Sequence, residues 1–234
     1  MVADALVYHP SVAHYLKFVA TAVGRDKVLR TIQYFARFYA WYLYRTNHPA
    51  SQIKAYDAIK KQFGLTRKLM RVGKFVEHFK AAAEAADKKT LDPVLRYCAV
   101  GRQLGYGIYL SLDSIIYLDA SGIKSISIVN RVQREAYKAW LVGLLFNTVA
   151  GLYTLHQLRR REQNIDKKDG EGLVECKRLE RERAATNLQL ISDLCDLTVP
   201  SSALGLANFD DGFVGLAGTV SSLIGLYGVW KKTA

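Results

Sequence analysis

LTRKLMRVGKFVEHFKAAAEAA, residues 65–86, is the stretch on which the reading of this chain turns. At about 3.6 residues per turn, Leu65, Leu69, Val72, Val76, Phe79 and Ala83 share one narrow face, with Phe75 at its edge. Arg67, Arg71, Lys74 and His78 take the opposite face. Lys68 and Lys80 stand at the two borders, where long stems lie along apolar surface while the charges stay wet. The pattern predicts one basic amphipathic helix over 65–86. Such a helix lies in the headgroup plane of an anionic membrane or docks on a partner. The same periodicity also suits a surface helix whose stripe faces the protein's own interior.

Outward from that stretch, half of the 234 residues are hydrophobic and only four are proline, at 10, 49, 93 and 200. The prolines separate long segments of helical period, and no strand-like alternation bounded by turn pairs occurs, so the expected fold is all-α. The net charge is +12, of which residues 1–90 carry +10. A basic N-terminal part suits an anionic partner: nucleic acid, lipid headgroups or an acidic protein surface. The three cysteines, Cys98, Cys176 and Cys195, form no CxxC pair or Cys/His cluster, which argues against structural zinc and suits a reducing compartment. The opening MVADALVYHP has no basic region and no long apolar core, so no cleavable secretory signal is expected.

Helix one is expected from Pro10 to about Arg45, with a break near Gly24. A second, capped by Ser51, should end near Phe63-Gly64, with the amphipathic helix following at once. Asp92-Pro93 is a start signal for a helix over 93–120, apolar but interrupted by Arg96, Arg102, Gln103, Asp113 and Asp119 and ended by Ser121-Gly122. Each ionisable group there should pair with a neighbour, and Arg96 and Arg102 are available to the aspartates. Residues 139–158 carry no Lys, Arg, Asp or Glu, and about 20 such residues suffice to cross a bilayer; a buried core helix fits as well. A charged region follows, with a KKDGEG loop at 167–172 and then a helix whose Leu179, Leu188, Ile191 and Leu194 form a stripe expected to pack.

Residues 212–230, GFVGLAGTVSSLIGLYGVW, are the strongest membrane candidate. Asp210-Asp211 precedes them, Lys231-Lys232 follows, and Tyr227 and Trp230 sit where interfacial aromatics belong. Gly218, Ser221, Gly225 and Gly228 form a small-residue stripe suited to close helix association. The charge bias places the Lys231-Lys232 end in the cytosol, and the basic N-terminal half with it if 139–158 also crosses. The expected organisation is a basic helical region 1–90, apolar helices 91–163 with a candidate span at 139–158, a charged region 164–211, and a transmembrane helix 212–230 with a short basic tail.

Catalytic patterns are missing. His9, His14, His48, His78 and His156 have no metal-ligand spacing, and no phosphate-cradling glycine loop or nucleophile elbow is present. No enzyme activity, cofactor or metal is expected. The aromatic-basic stretch 30–45 resembles no nucleic-acid motif, and nucleic acid is not an expected partner.

YLKFVATAVGRDKVLRTIQYFARFYAWYLYR (15–45), TRKLMRVGKFVEHFKAA (66–82), GYGIYLSLDSIIYLDASGI (105–123) and the glycine-rich C-terminal segment together resemble the fungal peroxin-eleven proteins, membrane proteins that elongate and proliferate peroxisomes. The resemblance runs over essentially the whole chain, most specifically at 24–43. It implies that the amphipathic helix inserts into the cytosolic leaflet and bends it. Arg67, Lys68, Arg71, Lys74 and Lys80 would meet anionic membrane lipid, and Leu69, Val72, Val76 and Phe79 would insert. It also implies homo-oligomers, a dynamin-related fission GTPase with its tail-anchored adaptor, and the peroxisomal membrane-protein import receptor as partners. Some relatives end in a dilysine sorting signal, which Lys231 and Lys232 match in position; flanking charges of a membrane span explain them equally well. A pore for small metabolites is the competing reading, supported by Arg96, Arg102, Asp113, Asp119 and Asn147 inside apolar helices.

Overall fold

The structure, a computed structural model, describes residues 7–165 and 170–234. Among these residues there are eight helices and no strand: α1 (Pro10–Ala20), α2 (Ala22–Arg45), α3 (Ala50–Met70), α4 (Phe75–Asp87), α5 (Pro93–Ala120), α6 (Val129–Gln163), α7 (Gly170–Ala203) and α8 (Asp211–Thr233). The all-α expectation holds.

Several helix ends differ from the sequence reading. The first break falls at Thr21, three residues before Gly24, because the Thr21 hydroxyl accepts from the Gly24 N–H at 2.9 Å and caps α2. Helix α3 starts at Ala50 behind Pro49, so Ser51 lies inside it and caps nothing. It passes through Gly64, which faces α2 beneath the Gln33 side chain, and ends at Met70. The expected single helix over 65–86 is therefore two helices meeting at a corner. Gly73, at φ +80°, makes that corner in the left-handed region that other residues avoid. At the start of α5, the Asp92 carboxylate accepts from the N–H groups of Val94 (2.9 Å) and Leu95 (3.3 Å), as the Asp-Pro signal predicts. Of the KKDGEG loop, 167–169 lie outside the described residues and 170–172 are helical.

Six helices close into a ring. Helix α2 packs on α3, α3 on α5, α5 on α6, α6 on α7, α7 on α8, and α8 returns to α2. Helix α4 lies on α5, and α1 lies across α2 and α8. Within the ring, the α3–α5 seam is the slightest. Two seams are tight because glycines allow it. A Cβ on Gly105 of α5 would sit 2.8 Å from the Gly143 backbone nitrogen of α6, and one on Gly215 of α8 would sit 2.5 Å from the Phe38 nitrogen of α2. The ring is filled at one level by Tyr34, Tyr109, Leu110, Trp140, Leu144 and Val199.

Burial differs from that of a water-soluble bundle: beside the apolar layer the interior also takes polar and charged groups, while large apolar side chains are left outside. The interior holds Arg30, Arg67, Asp113, Ser192, Asp193, Asp196, Thr198, Ser221 and Ser222, while Val142, Leu145, Val149, Leu152, Leu216 and Leu223 face outward. The stripe expected to pack in α7 is corrected accordingly. Only Leu179 is buried; Leu188, Ile191 and Leu194 are exposed, because Ser192, Asp193 and Asp196 take the inner face. Helices α6 and α8 each hold a window long and apolar enough to cross a bilayer, and only 17% and 33% of those windows are buried. A core helix of a soluble protein would be mostly covered; these two present their apolar sides to the surroundings.

The small-residue stripe of α8 is occupied within the chain. Gly212 lies under Trp41, Gly218 under the Tyr34 ring and Gly225 under the Lys27 side chain, whereas a Cβ on Gly228 would meet nothing within 4 Å. Gly218→Val should therefore force α2 and α8 apart and destabilise the fold by about 1–3 kcal/mol, the usual range for overpacking. Gly228→Ala should be neutral or stabilise by up to ~1 kcal/mol through helix propensity. Thermal unfolding in detergent checks both.

Candidate functional site

The weakest seam of the ring is closed by charge. Asp113, 3% exposed on α5, pairs with Lys68 from the last turn of α3 and accepts from Arg71 Nη2 at 2.8 Å. Arg71 continues to the Tyr109 hydroxyl at 3.5 Å, and its guanidinium lies 5.8 Å over that ring. A carboxylate inside an apolar helix must be matched or it costs several kcal/mol, and two cations from the next wall match it. Asp113 thus reaches across to α3 and the corner. The expected partners are corrected: Arg102 meets no carboxylate among the described residues, and Asp119 instead caps a turn, accepting from the Ile126 N–H at 2.8 Å.

Further pairs cross the interior. Arg30 of α2 reaches Asp196 of α7 at 2.5 Å and Ser221 of α8 at 3.3 Å. Arg67, at the end of α3, donates to Asp26 at 3.0 Å and Gln33 at 2.7 Å on α2. Asn147 of α6 and Gln189 both donate to Asp193 of α7. Asp26, Arg30, Gln33, Arg67, Asp193 and Asp196 line a cavity of about 580 Å³, with Tyr34, Tyr109, Trp140 and Val199 also in its wall and Lys232 an exposed part of it. The stacked Tyr109 and Trp140 rings, with centroids 5.2 Å apart, belong to the aromatic layer that fills the ring.

The electrostatics follow from burial and pairing. Burial alone would raise the Asp26 carboxyl, but Arg67, with Arg71 behind it, outweighs that and holds it below the ordinary carboxylate value. Burial, followed by neighbouring Arg30, pushes Lys27 down to about 8. Lys27 has no carboxylate within salt-bridge distance among the described residues, and the Nε atoms of Arg71 and Arg102 are buried without an acceptor.

The sequence-predicted residues separate into two groups. Leu69, Val72, Val76 and Phe79 are all exposed, at 54, 50, 60 and 40%. Leu69, Val72 and Val76 face away from the protein, so the interior-facing alternative does not apply to them; Phe79 is part-exposed but also lays its ring over Gly107 of α5. The cationic side turns inward instead: Arg67, Lys68, Arg71 and Lys74 all line the cavity, and His78 donates from Nδ1 to Gln103 Oε1 at 2.6 Å and stacks on Tyr106. Only Lys80 stands free of the ring, with Glu84 3.7 Å away. Arg67, Lys68 and Arg71 are engaged by buried carboxylates, which corrects the expectation of an outward basic face. Lys231 and Lys232 are exposed at the end of α8. Sequence reasoning missed Asp26, Lys27, Arg30, Asp193 and Asp196. The available signal was the spacing of Lys27 and Arg30, and of Asp193 and Asp196, three apart within apolar-rich helices.

A family model described as Peroxisomal biogenesis factor 11 (PEX11) matches residues 12–230. The chain belongs to the PEX11 family. It is similar to the peroxisomal membrane protein PMP27 of Saccharomyces cerevisiae, 31% identical over 246 residues and 100% of both chains. The peroxisomal membrane protein PMP30B of Candida boidinii is 27% identical, covering 100% of this chain and 99% of its own. Peroxisomal membrane protein 11B of Homo sapiens is 22% identical over 91% of this chain and 94% of its own. No solved structure matches. As a PEX11 protein, this chain is a non-enzymatic protein of the peroxisomal membrane involved in peroxisome biogenesis and proliferation. An apolar exterior around a charged interior is the arrangement a bilayer demands, since lipid solvates neither ions nor unpaired polar groups.

Asp113→Asn should leave Lys68 and Arg71 buried against a neutral amide and cost about 3–5 kcal/mol, read as a fall in unfolding midpoint. Asp26 should contribute stability in full above its ordinary value of 3.8 and lose it as the pH falls below that. The midpoint difference between the parent chain and Asp26→Asn should accordingly shrink in acid.

Proposed function

We propose that this PEX11 protein elongates the peroxisomal membrane by lodging the α3–α4 corner in the cytosolic leaflet, promoting fission and proliferation. The observation that carries this reading is the outward stripe of Leu69, Val72, Val76 and Phe79, bent at Gly73 and tied to the ring through Lys68, Arg71 and Asp113. A wedge roughly 5–10 Å deep expands one leaflet relative to the other and bends it. Four half-exposed apolar side chains supply on the order of 4 kcal/mol on insertion, sufficient for a corner already held at the bilayer by its spans. The spans are 139–158 in α6 and 212–230 in α8, with the Lys231-Lys232 tail in the cytosol; the expectation that the whole N-terminal part is cytosolic does not fit, because α2 lies along the α8 span from Lys27 beside Gly225 to Trp41 beside Gly212. In this reading charge is secondary, since Lys80 is the only cation of the five expected to meet lipid that stands clear of the ring. Copies of the chain gather on the tubule, and a dynamin-related GTPase with its tail-anchored adaptor cuts it.

Val72→Glu with Val76→Glu should leave the protein on peroxisomes and abolish their elongation, scored by fluorescence microscopy. Lys80→Gln should elongate as the parent does. Phe79 is the poorer test because its ring lies over Gly107 of α5. Normal elongation with both glutamates present would contradict the mechanism.

A second reading, permeation of small metabolites, is favoured by one observation: a closed ring of helices around a charged cavity. Arg102 lines that cavity, and Asn147 and Asp113 pair across helix seams, whereas Arg96 and Asp119 do not line it. Trp140→Ala thins the aromatic layer and should raise conductance in planar bilayers, and Arg102→Gln should shift ion selectivity. Unchanged conductance and selectivity in both variants would reject permeation and leave elongation untouched.

A further inference from the structure

We propose that the interior cavity is a binding site for a phosphate-bearing anion of metabolite size. Three observations point there. Eight Lys and Arg side chains line the cavity against four carboxylates, and counting Asp113 behind Lys68 and Arg71 still leaves an excess of three positive charges. The cavity is open where exposed Glu77 and Lys232 line it, but an unmatched charge on a part-buried wall residue such as Lys27 or Arg102 still carries a desolvation cost. Second, the donors left over are the right ones. Among the described residues, the buried Nε atoms of Arg71 and Arg102 have no acceptor and Lys27 has no carboxylate within salt-bridge distance. A guanidinium offers Nε and Nη as a planar fork that fits two oxygens of one phosphate, and an ammonium adds a point charge beside it. Third, the volume of about 580 Å³ suits a small phosphorylated molecule and far exceeds what a single water needs.

The remaining groups set the geometry of the site. Arg30 and Arg67 are bound to Asp196 and Asp26, so they hold the walls and are not free to turn toward a ligand. Asp193 is engaged by Asn147 and Gln189. Among the described residues this leaves Lys27, Lys74, Arg102 and the exposed Lys232 without a carboxylate, and of these Lys27 and Arg102 are the part-buried pair on the ring helices α2 and α5 that an incoming phosphate would satisfy first. The Arg102 guanidinium is steadied by the Tyr106 ring 5.6 Å beneath it. The phosphate could arrive on a soluble molecule or on a lipid headgroup entering beside exposed Lys232. The proposal uses the cavity that also supports permeation, but it does not require conduction, because an occupied site can be static.

The test is equilibrium binding by the full chain in neutral detergent, followed by unfolding midpoint and by calorimetry. The probes are pyrophosphate and short-chain phosphatidic acid, with chloride at matched ionic strength as the control. Saturable stabilisation by a phosphate probe but not by chloride is expected. Lys27→Gln and Arg102→Gln should each weaken it about tenfold, the usual worth of a charge-assisted contact. Lys80→Gln should not change it. Saturation with pyrophosphate assigns a soluble ligand, and saturation with phosphatidic acid alone assigns a headgroup. No saturable effect, or equal loss in Lys80→Gln and Lys27→Gln, would overturn the site. Conductance of the same variants is read separately, so a binding site without permeation and permeation without a binding site give different results.

Discussion

One buried carboxylate organises this molecule. Asp113 stands about two turns from the end of a 28-residue apolar helix, at 3% exposure, and has to be neutralised where it stands. Its partners come from the end of α3, so Lys68 and Arg71 must point into the ring. With those two side chains turned inward, the helix cannot also present them to a headgroup, and the residues on the opposite face, Leu69 and Val72, are turned out. The chain then bends at Gly73, and α4 runs back along α5 with Val76 and Phe79 continuing the outward stripe. The exposed corner and the closed seam are two consequences of one ion pair.

The same inversion recurs around the ring. Arg30 with Asp196, Arg67 with Asp26, and Asn147 with Asp193 join different helices across the interior. Serines of α8 return their hydroxyls to the Gly218 carbonyl or accept from Arg30. In water such a bundle would leave a large apolar area exposed and bury its charges, the costly arrangement on both counts. In a bilayer the exterior is solvated by lipid and only the interior pairs need satisfying, so the arrangement becomes the favourable one. Membership of a family of peroxisomal membrane proteins and the distribution of polarity therefore agree for a physical reason.

Much of this was legible in the chain. The all-α class followed from helical period and scarce proline, and the Asp92-Pro93 start and the uncharged final helix were read correctly. The corner was not. Apolar spacing from Leu69 through Val72 to Val76 continues across Gly73 in helical register, so periodicity gives no sign of the break, and only the backbone freedom of one glycine hinted at it. Periodicity also fixes which residues share a face but not which way the face points. That depends on the partners, and the outward-basic reading gave Arg67 and Arg71 to lipid headgroups where the structure gives them to Asp26 and Asp113. Of the small-residue stripe of α8, Gly218 and Gly225 lie under Tyr34 and Lys27 and Gly228 meets nothing; the side chains that cover the first two lie far away in sequence on α2, where spacing within α8 gives no sign of them.

The central claim is that the outer surface meets lipid and the charged interior meets water. Spin labels on single cysteines test it directly in vesicles, with Cys98, Cys176 and Cys195 first replaced by alanine. Labels at Val76, Leu152 and Leu223 should collide readily with dissolved oxygen and poorly with a water-soluble nickel chelate. A label at Gln133 or Gln189, in the cavity wall, should show the reverse. The opposite pattern, with nickel reaching Val76, Leu152 and Leu223, would show that these side chains face water and would contradict the account.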